Sequence, residues 1–357
     1  MRIGYVPYSP DLRYAGDRRR FCYYARKRNI AFELAKPSET YDIVVVTERG
    51  DLSTWSGYSR GEARVVYTLI NRYLAVPRWD PKGLLRGVAK FVTREASHLQ
   101  LNYWRAMEAM CERADAVVCT TQEQRQDILP YCQNVHVILD IHSDDVHAVK
   151  TRYTSGDTFN FGWEGLAENI EPFLTIRDVL ARLQQKRRIA LHLVTELRYG
   201  RFMRKYWQSD TARLTAKLPA PTYLYQWHPD TCSAIIAACD MALIPIALDK
   251  PVDAGKPENK LLLFWRLGMP TVVSATPAYS RAMRECGLAM DCRTDQEWEE
   301  TLLGLLGNEE ARRQAGQKGK AFVQKYHGEQ TILKQWDTLF SSVLKEKERE
   351  AEPASVR

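Results

Sequence analysis

The sequence predicts a two-domain α/β chain in which each domain is a doubly wound parallel sheet. Short apolar runs bounded by breakers alternate with helical stretches almost from end to end, the pattern of parallel strands joined by crossover helices. The alternation falls into two series, separated by a polar stretch over 146–157 that contains Ser155-Gly156-Asp157. The length, 357 residues, exceeds one ordinary core and suits two domains of about 150–180 residues. No Gly-x-Gly-x-x-Gly fingerprint occurs in either series, and no internal repeat is visible beyond this coarse likeness.

In the first series Ile3 to Val6 is a strand, followed by a loop from Tyr8 to Gly16 and a helix opened by Asp17-Arg18-Arg19-Arg20 and running through Arg28. Ile43 to Thr47, Val65 to Ile70, Ala116 to Thr120 and Val135 to Leu139 are short and apolar, as strands buried on both faces must be. The second series begins at Phe159-Asn160-Phe161-Gly162-Trp163-Glu164-Gly165 and continues through Ala190 to Thr195, Thr222 to Tyr225, Met241 to Ile246 and Thr271 to Ser274. The helix Leu261 to Leu267 stops at Gly268-Met269-Pro270, since Gly ends helices cheaply and Pro cannot continue them. Thr294-Asp295-Gln296-Glu297 is a capping box, and Asn308 caps a further helix to about Tyr326. Ile332, Leu333, Trp336, Leu339 and Phe340 then recur at helical spacing. The expected division is 1–150, 151–326, a returning helix over 327–345 and a charged, disordered tail over 346–357.

Composition narrows the class. Apolar content of 45% and charged content of 27% are ordinary for a globular protein, and no run approaches the roughly 18 apolar residues of a membrane span. The start of the chain lacks the basic stretch and long apolar region of a signal peptide. The eight cysteines never fall two residues apart, so they form neither a zinc spacing nor a small disulfide framework. A reducing cytoplasm is the expected location. The net charge of +7 suits anionic partners such as phosphorylated substrates or an acidic membrane surface, without choosing between them. No nucleic-acid partner is expected.

The strongest chemical signal lies between Met241–Ile246 and Leu261–Leu267. Lys256, Asn259 and Lys260 sit where a strand hands over to a helix, and a helix start with its unbonded N–H groups favours a diphosphate. A solvated lysine pair is the bland alternative. Glu164 and Gly165, with Asn169 beyond, occupy the matching turn after the first strand of this domain, where Gly lets a phosphate approach. An ordinary strand-to-helix turn, with Trp163 merely packing, is the alternative there. Backbone groups near Trp227 are placed to read a base, and a core or lid role fits that residue equally. Gly16, Asp17 and Arg18 follow the first strand of the other domain. Arg holds phosphate in a bidentate manner; an exposed basic first turn is the alternative, although three Arg at a helix start oppose its dipole, and Arg18 is the first choice of the cluster. His142, after that domain's last strand, is placed to touch an acceptor hydroxyl, although a lone His is more often structural. No Asp-x-Asp sequence occurs, so no metal and no cofactor are expected. Lys82, Arg86, Lys90 and Arg94 recur every four residues opposite Leu84, Val88, Phe91 and Val92. Such a basic face can rest on anionic lipid, and the commoner reading is a core helix with a solvated basic side.

Taken together, the apolar strand ending in Pro, the Lys-x-x-Asn-Lys loop, the helix, Gly-x-Pro, the second apolar strand and Pro-x-Tyr resemble the donor half of family-4 glycosyltransferases of the GT-B type. The resemblance implies two facing Rossmann-like domains with a C-terminal helix crossing back onto the first. It further implies a nucleotide-sugar held by this segment, with a basic residue on its phosphates. A glycine-bearing loop of the first domain would approach donor and acceptor, and the anomeric configuration would be retained. One departure stands out. Many members carry a Glu-x7-Glu pair, where this chain has Gly255 and Leu263, so the resemblance is to a subgroup without that pair and does not carry over the identity of the donor. The expected function is therefore a hexosyltransferase that is independent of metal. It would move a sugar from a nucleotide-sugar to a glycan or lipid-linked acceptor in surface polysaccharide or glycoconjugate synthesis, in the cytoplasm and possibly at the inner membrane face. Lys256, Lys260 and Arg18 would steady the leaving diphosphate. A nucleotide-sugar epimerase and a non-catalytic GT-B subunit are the alternatives.

Overall fold

The computed structural model describes residues 1–59, 63–200 and 208–351. By contact the chain divides into two units, Met1–Ile141 joined by the C-terminal helix from Glu329, and His142–Gly328. Each is built on a six-stranded, all-parallel sheet.

In the first unit the strands are β1 (Ile3–Val6), β2 (Glu33–Leu34), β3 (Ile43–Thr47), β4 (Arg64–Thr68), β5 (Ala116–Cys119) and β6 (Val135–Val137), in the order β2-β1-β3-β4-β5-β6. The winding reverses between β1 and β3, and ligands of such sheets bind beyond the strand ends at that point. β3 is buried along its whole length, which is why its sequence shows a continuous apolar run rather than alternation. β2 escapes a pattern search because it is two exposed residues on the sheet edge.

The helical run after β1 differs from the expectation. It begins at Ala15, breaks after Arg18 and resumes as Phe21–Arg28. The cause is Arg20, whose guanidinium turns inward to the carbonyl of Ile138 (3.2 Å) and the carboxylate of Asp140 (3.1 Å). Arg20 is thus a buried ion-pair residue and not part of a surface cluster.

The C-terminal helix, Glu329–Ala351, closes the same face of the first unit. Ile332, Leu333, Trp336, Leu339, Phe340 and Val343 join the core made by Ile3, Tyr5, Phe21, Tyr24 and the strands. Tyr24 and Phe340 are stacked at 5.4 Å, and Arg28 forks onto Asp337 at 2.9 and 2.6 Å. The helix runs six residues into the expected tail, because the Lys, Glu, Arg and Ala there are good helix formers. Only 352–357 of that tail lie outside the described residues.

The helix Pro81–Val92 is turned the opposite way from the expectation. Its basic residues point inward: Arg86 lies over the rings of Tyr73 (4.5 Å) and Tyr103 (5.1 Å), and the Lys90 ammonium is 5.0 Å from the Tyr103 ring. Leu85, Val88, Phe91 and Val92 are exposed. Cation–π contact with three neighbouring aromatics satisfies the charges that were expected in water. The side chains of Lys82 and Leu84 lie outside the described residues.

The second unit contains β7 (Phe159–Glu164), β8 (Ile189–Thr195), an antiparallel hairpin of β9 (Arg198–Gly200) and β10 (Gln208–Asp210), then β11 (Thr222–Gln226), β12 (Met241–Ile244), β13 (Thr271–Ser274) and β14 (Asp291–Cys292). Its main sheet runs β11-β8-β7-β12-β13-β14, reversing between β7 and β12. The polar stretch before β7 is not a free linker. Tyr153 is buried, donates to Gly268 O at 2.8 Å and accepts from Arg312 through its carbonyl at 2.7 Å. The Gly-Met-Pro stop works as expected. Gly268 takes φ +71, and the N–H groups of Gly268 and Met269 close back on Trp265 and Phe264, the paired bonds of a Schellman ending. The capping box at Thr294 and Glu297 also forms.

Burial, and secondarily Arg266, pushes the His327 imidazole down to about 4. Because the folded value lies below the unfolded value of about 6.5, the contribution of this residue is complete above pH 6.5. It is lost as pH falls toward 4. Urea midpoints measured from pH 7 to 4.5 are expected to fall by an amount worth at most about 3 kcal/mol more for the parent than for His327→Gln. Parallel pH curves for the two proteins would contradict this.

Candidate functional site

The reversal between β7 and β12 brings together the two turns singled out in the second series. β7 ends at Glu164, and Gly165 follows with φ +150. β12 ends at Ile244, and its loop is pinned to β13 through Ser274, whose hydroxyl accepts from Ile246 N–H at 2.8 Å. The chain then passes through Lys256 into the helix Asn259–Arg266. The first intrahelical bond of that helix runs from Leu262 N–H to Glu258 C=O. Its earlier N–H groups therefore point out of the helix start, where an anion is favoured.

Lys260 connects the two turns. Its ammonium lies 4.2 Å from the centroid of the Trp163 ring. It also lies 2.6 Å from where a Cβ on Gly165 would be. Any side chain at 165 would therefore displace the lysine, and the positive φ disfavours one in any case. Trp163 is fully buried, so the ring is a fixed seat for the charge and not simply packing. A lysine in the first turn of a helix opposes the dipole, and the π face offsets part of that cost.

Lys256 is held by two partners, Asp253 (2.8 Å) and the Asn169 side-chain oxygen (2.9 Å). Asn169 comes from the 3-10 turn after Gly165, so this second lysine also ties the β12 loop to the β7 loop. Asn259 is the first residue of the helix, directly before Lys260. Glu164 and Glu258 are both buried. Tyr279 lies close to both: burial raises its phenol first, and the Glu258 and then Glu164 carboxylates raise it further. Trp227 follows β11, half-buried, and its N–H donates to the Thr195 carbonyl at the end of β8 (2.9 Å). The Thr195 hydroxyl, buried at that end, has no hydrogen-bond partner among the described residues.

Gly16, Asp17 and Arg18 belong to the first unit, after β1. The Asp17 carboxylate accepts from Tyr5 OH (2.6 Å), Tyr8 N–H (2.8 Å) and Ser9 N–H (3.0 Å), so it holds the loop together. Gly16 packs on the Tyr8 ring, which leaves no room for a Cβ. Arg18 donates to the Arg13 carbonyl at 3.2 Å. His142 is buried rather than presented to solvent, with Asp145 at 3.7 Å from Nδ1.

Glu258, Tyr279 and the ring of Trp163 are not among the site residues that the sequence pattern points to. Glu258 was visible as a carboxylate immediately before a helix start. Nothing in a linear pattern says that a tryptophan three-dimensionally underlies a lysine 97 positions later. Among the described residues no group of three or more His, Cys, Asp or Glu is arranged to hold a metal ion. No described helix is long and apolar enough to cross a membrane.

Comparison with solved structures defines the architecture. HepE from Anabaena, solved with UDP and glucose, matches with a TM-score of 0.62 at 13% identity, covering 96% of this chain and 100% of that one. WaaG, described as a glycosyltransferase involved in lipopolysaccharide biosynthesis, matches with a TM-score of 0.60 at 12% identity, covering 95% and 99%. The fold is GT-B. TarM from S. aureus, solved with UDP and α-GlcNAc-glycerol, gives a TM-score of 0.58 at 13% identity over 89% of this chain, which spans 57% of the TarM length. No protein-family model and no curated protein matches the sequence.

Proposed function

We propose that the chain is a glycosyltransferase whose second unit binds a nucleotide-sugar by its diphosphate. The observation that carries this reading is Lys260 resting over Gly165 on the Trp163 ring, at the strand reversal and at a helix start. As the sugar–phosphate bond breaks, charge collects on the leaving diphosphate. Lys260, Lys256 and the N–H groups of the helix start are the groups that would receive it. Solved structures of the same fold that carry UDP support a nucleotide of this kind. We further propose a hexosyl donor, a glycan or lipid-linked acceptor, retention of configuration and independence of metal. In the same reading the chain serves surface polysaccharide or glycoconjugate synthesis at the inner face of the membrane. Glu164, Gly165, Asn259 and Trp227 are the proposed donor contacts. Arg18, with Gly16 and Asp17, and the acceptor-side His142 are carried as proposals from the sequence.

The test is incubation with a panel of nucleotide-sugars, with and without acceptors, following nucleoside diphosphate release and the fate of the sugar. Release with transfer or hydrolysis is expected. Isomerisation of the donor without release would make the chain an epimerase, and binding without turnover a non-catalytic subunit. Activity abolished by a chelator and restored by manganese would overturn the metal-independent part.

A further inference from the structure

We propose that Arg49, Arg86 and Lys90, set on three tyrosine rings at the strand reversal of the first unit, form a site for a phosphate ester. Binding there does not depend on the glycosyltransferase reading; taking the ester for a group on the acceptor rests on it. Arg49 follows β3, and its guanidinium lies 4.0 Å from the centroid of the Tyr14 ring, in the loop after β1. It thus bridges the reversal between β1 and β3, beyond the strand ends where ligands of such sheets bind. Arg86 and Lys90, one helical turn apart, meet the Tyr103 ring at 5.1 and 5.0 Å. The Tyr103 hydroxyl donates to the Glu48 carbonyl at 3.4 Å, which fixes that ring beside the residue before Arg49. Arg86 also lies over the Tyr73 ring and donates to its hydroxyl at 3.5 Å.

The charges gathered here have no matching anion. Among the described residues no carboxylate lies within 4 Å of Arg49 or Arg86. Lys90 has Glu95 at 3.9 Å, and that side chain is 62% exposed. The two acids nearest the site are engaged elsewhere. Glu48 accepts from the N–H groups of Ile70 (2.9 Å) and Asn71 (3.1 Å) and from the Asn71 amide (2.7 Å). Asp51 accepts from the N–H groups of Ser53 (3.1 Å) and Ser97 (2.9 Å) and from the Thr54 hydroxyl (2.8 Å). Ring faces solvate a cation but carry no net charge. Burial, and then Arg86, push the Lys90 ammonium down to about 8, and an anion between the two would relieve both. The Lys90 side chain keeps 11% of its exposure, so a ligand can reach it. A phosphate monoester fits this set better than a carboxylate, because it offers three oxygens and two charges to two guanidinium forks and one ammonium.

The test is calorimetric titration of the full chain with glucose 6-phosphate and with octyl phosphate, and with glucose and octanol as uncharged controls. Both esters are expected to bind and neither control. Tighter binding of the first makes the ester a water-soluble one, tighter binding of the second a lipid-borne one, and both support the site. Arg86→Gln and Lys90→Gln should each weaken binding at least about tenfold, the effect of losing one charge-assisted hydrogen bond. Lys260→Ala, in the other unit, should not weaken it. Tungstate soaked into crystals of the parent locates the oxyanion without any substitution, and an anomalous peak among Arg49, Arg86 and Lys90 is expected. A peak only elsewhere would overturn the proposal. So would affinity that the two glutamine variants keep in full while their circular dichroism matches the parent, or that Lys260→Ala alone removes. No turnover is needed for these measurements. Ester binding without sugar transfer would keep the site and remove its acceptor role, whereas transfer by a chain that binds neither ester would overturn the site and leave the transferase reading intact.

Discussion

Lys260→Ala is expected to lower kcat for sugar transfer or donor hydrolysis by about 10²- to 10³-fold, the usual cost of removing one pre-positioned group that stabilises developing charge. KM for the nucleotide-sugar should change much less. A charge that matters mainly as the diphosphate leaves acts on the transition state more than on the bound ground state. Lys260→Arg is expected to recover only part of the loss. The ammonium sits within 2.6 Å of the space a Cβ would take on Gly165 and 4.2 Å from the Trp163 centroid, and the larger planar guanidinium does not fit that seat. Steady-state kinetics on the two variants decides the matter. A kcat unchanged within about threefold for Lys260→Ala would remove Lys260 from the chemistry.

Trp336→Ala is expected to destabilise the first unit by about 3–5 kcal/mol, the range for removing a large aromatic from a packed core. Its ring is wholly buried, 5.7 Å from Tyr24 and 6.2 Å from Phe340, on the helix that closes one face of the sheet. Because the indole N–H has no hydrogen-bond partner among the described residues, Trp336→Phe gives up area but no bond and should cost clearly less. Thermal unfolding followed by circular dichroism should show a drop of about 10 °C for the alanine variant. A shift below about 2 °C would mean that the returning helix adds little to that core.

Much of the architecture was legible because buried parallel strands write themselves as uninterrupted apolar runs. β1, β3 and β13 fall where the sequence placed them, and the others shift by a residue or two at their ends. Four strands were missed: β2 and β14 are two-residue edge strands, and β9 and β10 form a hairpin of three-residue strands apart from the main sheet, none with an apolar run to detect. The site was half legible. Lys256, Asn259, Lys260 and Gly165 are expected from their places at strand ends, a rule that depends on topology alone, and the structure gathers them at the reversal between β7 and β12. What could not be read were contacts set by tertiary packing: Trp163 beneath Lys260, and Tyr279 beside Glu258 and Glu164. The two inversions have one cause. Arg20 and Arg86 looked like surface cations because charge is usually solvated. Each turns inward to a partner distant in sequence, Asp140 for Arg20 and the Tyr103 ring for Arg86. Periodicity shows that a helix has two faces, but not which one its neighbours cover.

The central claim is that a diphosphate seats at the reversal between β7 and β12. A crystal of the chain soaked with nucleoside diphosphates tests it most directly. The account expects phosphate density over Gly165 at the start of the helix Asn259–Arg266, within hydrogen-bonding distance of Lys260. Diphosphate bound in the crystal away from Gly165 and Lys260 would contradict it.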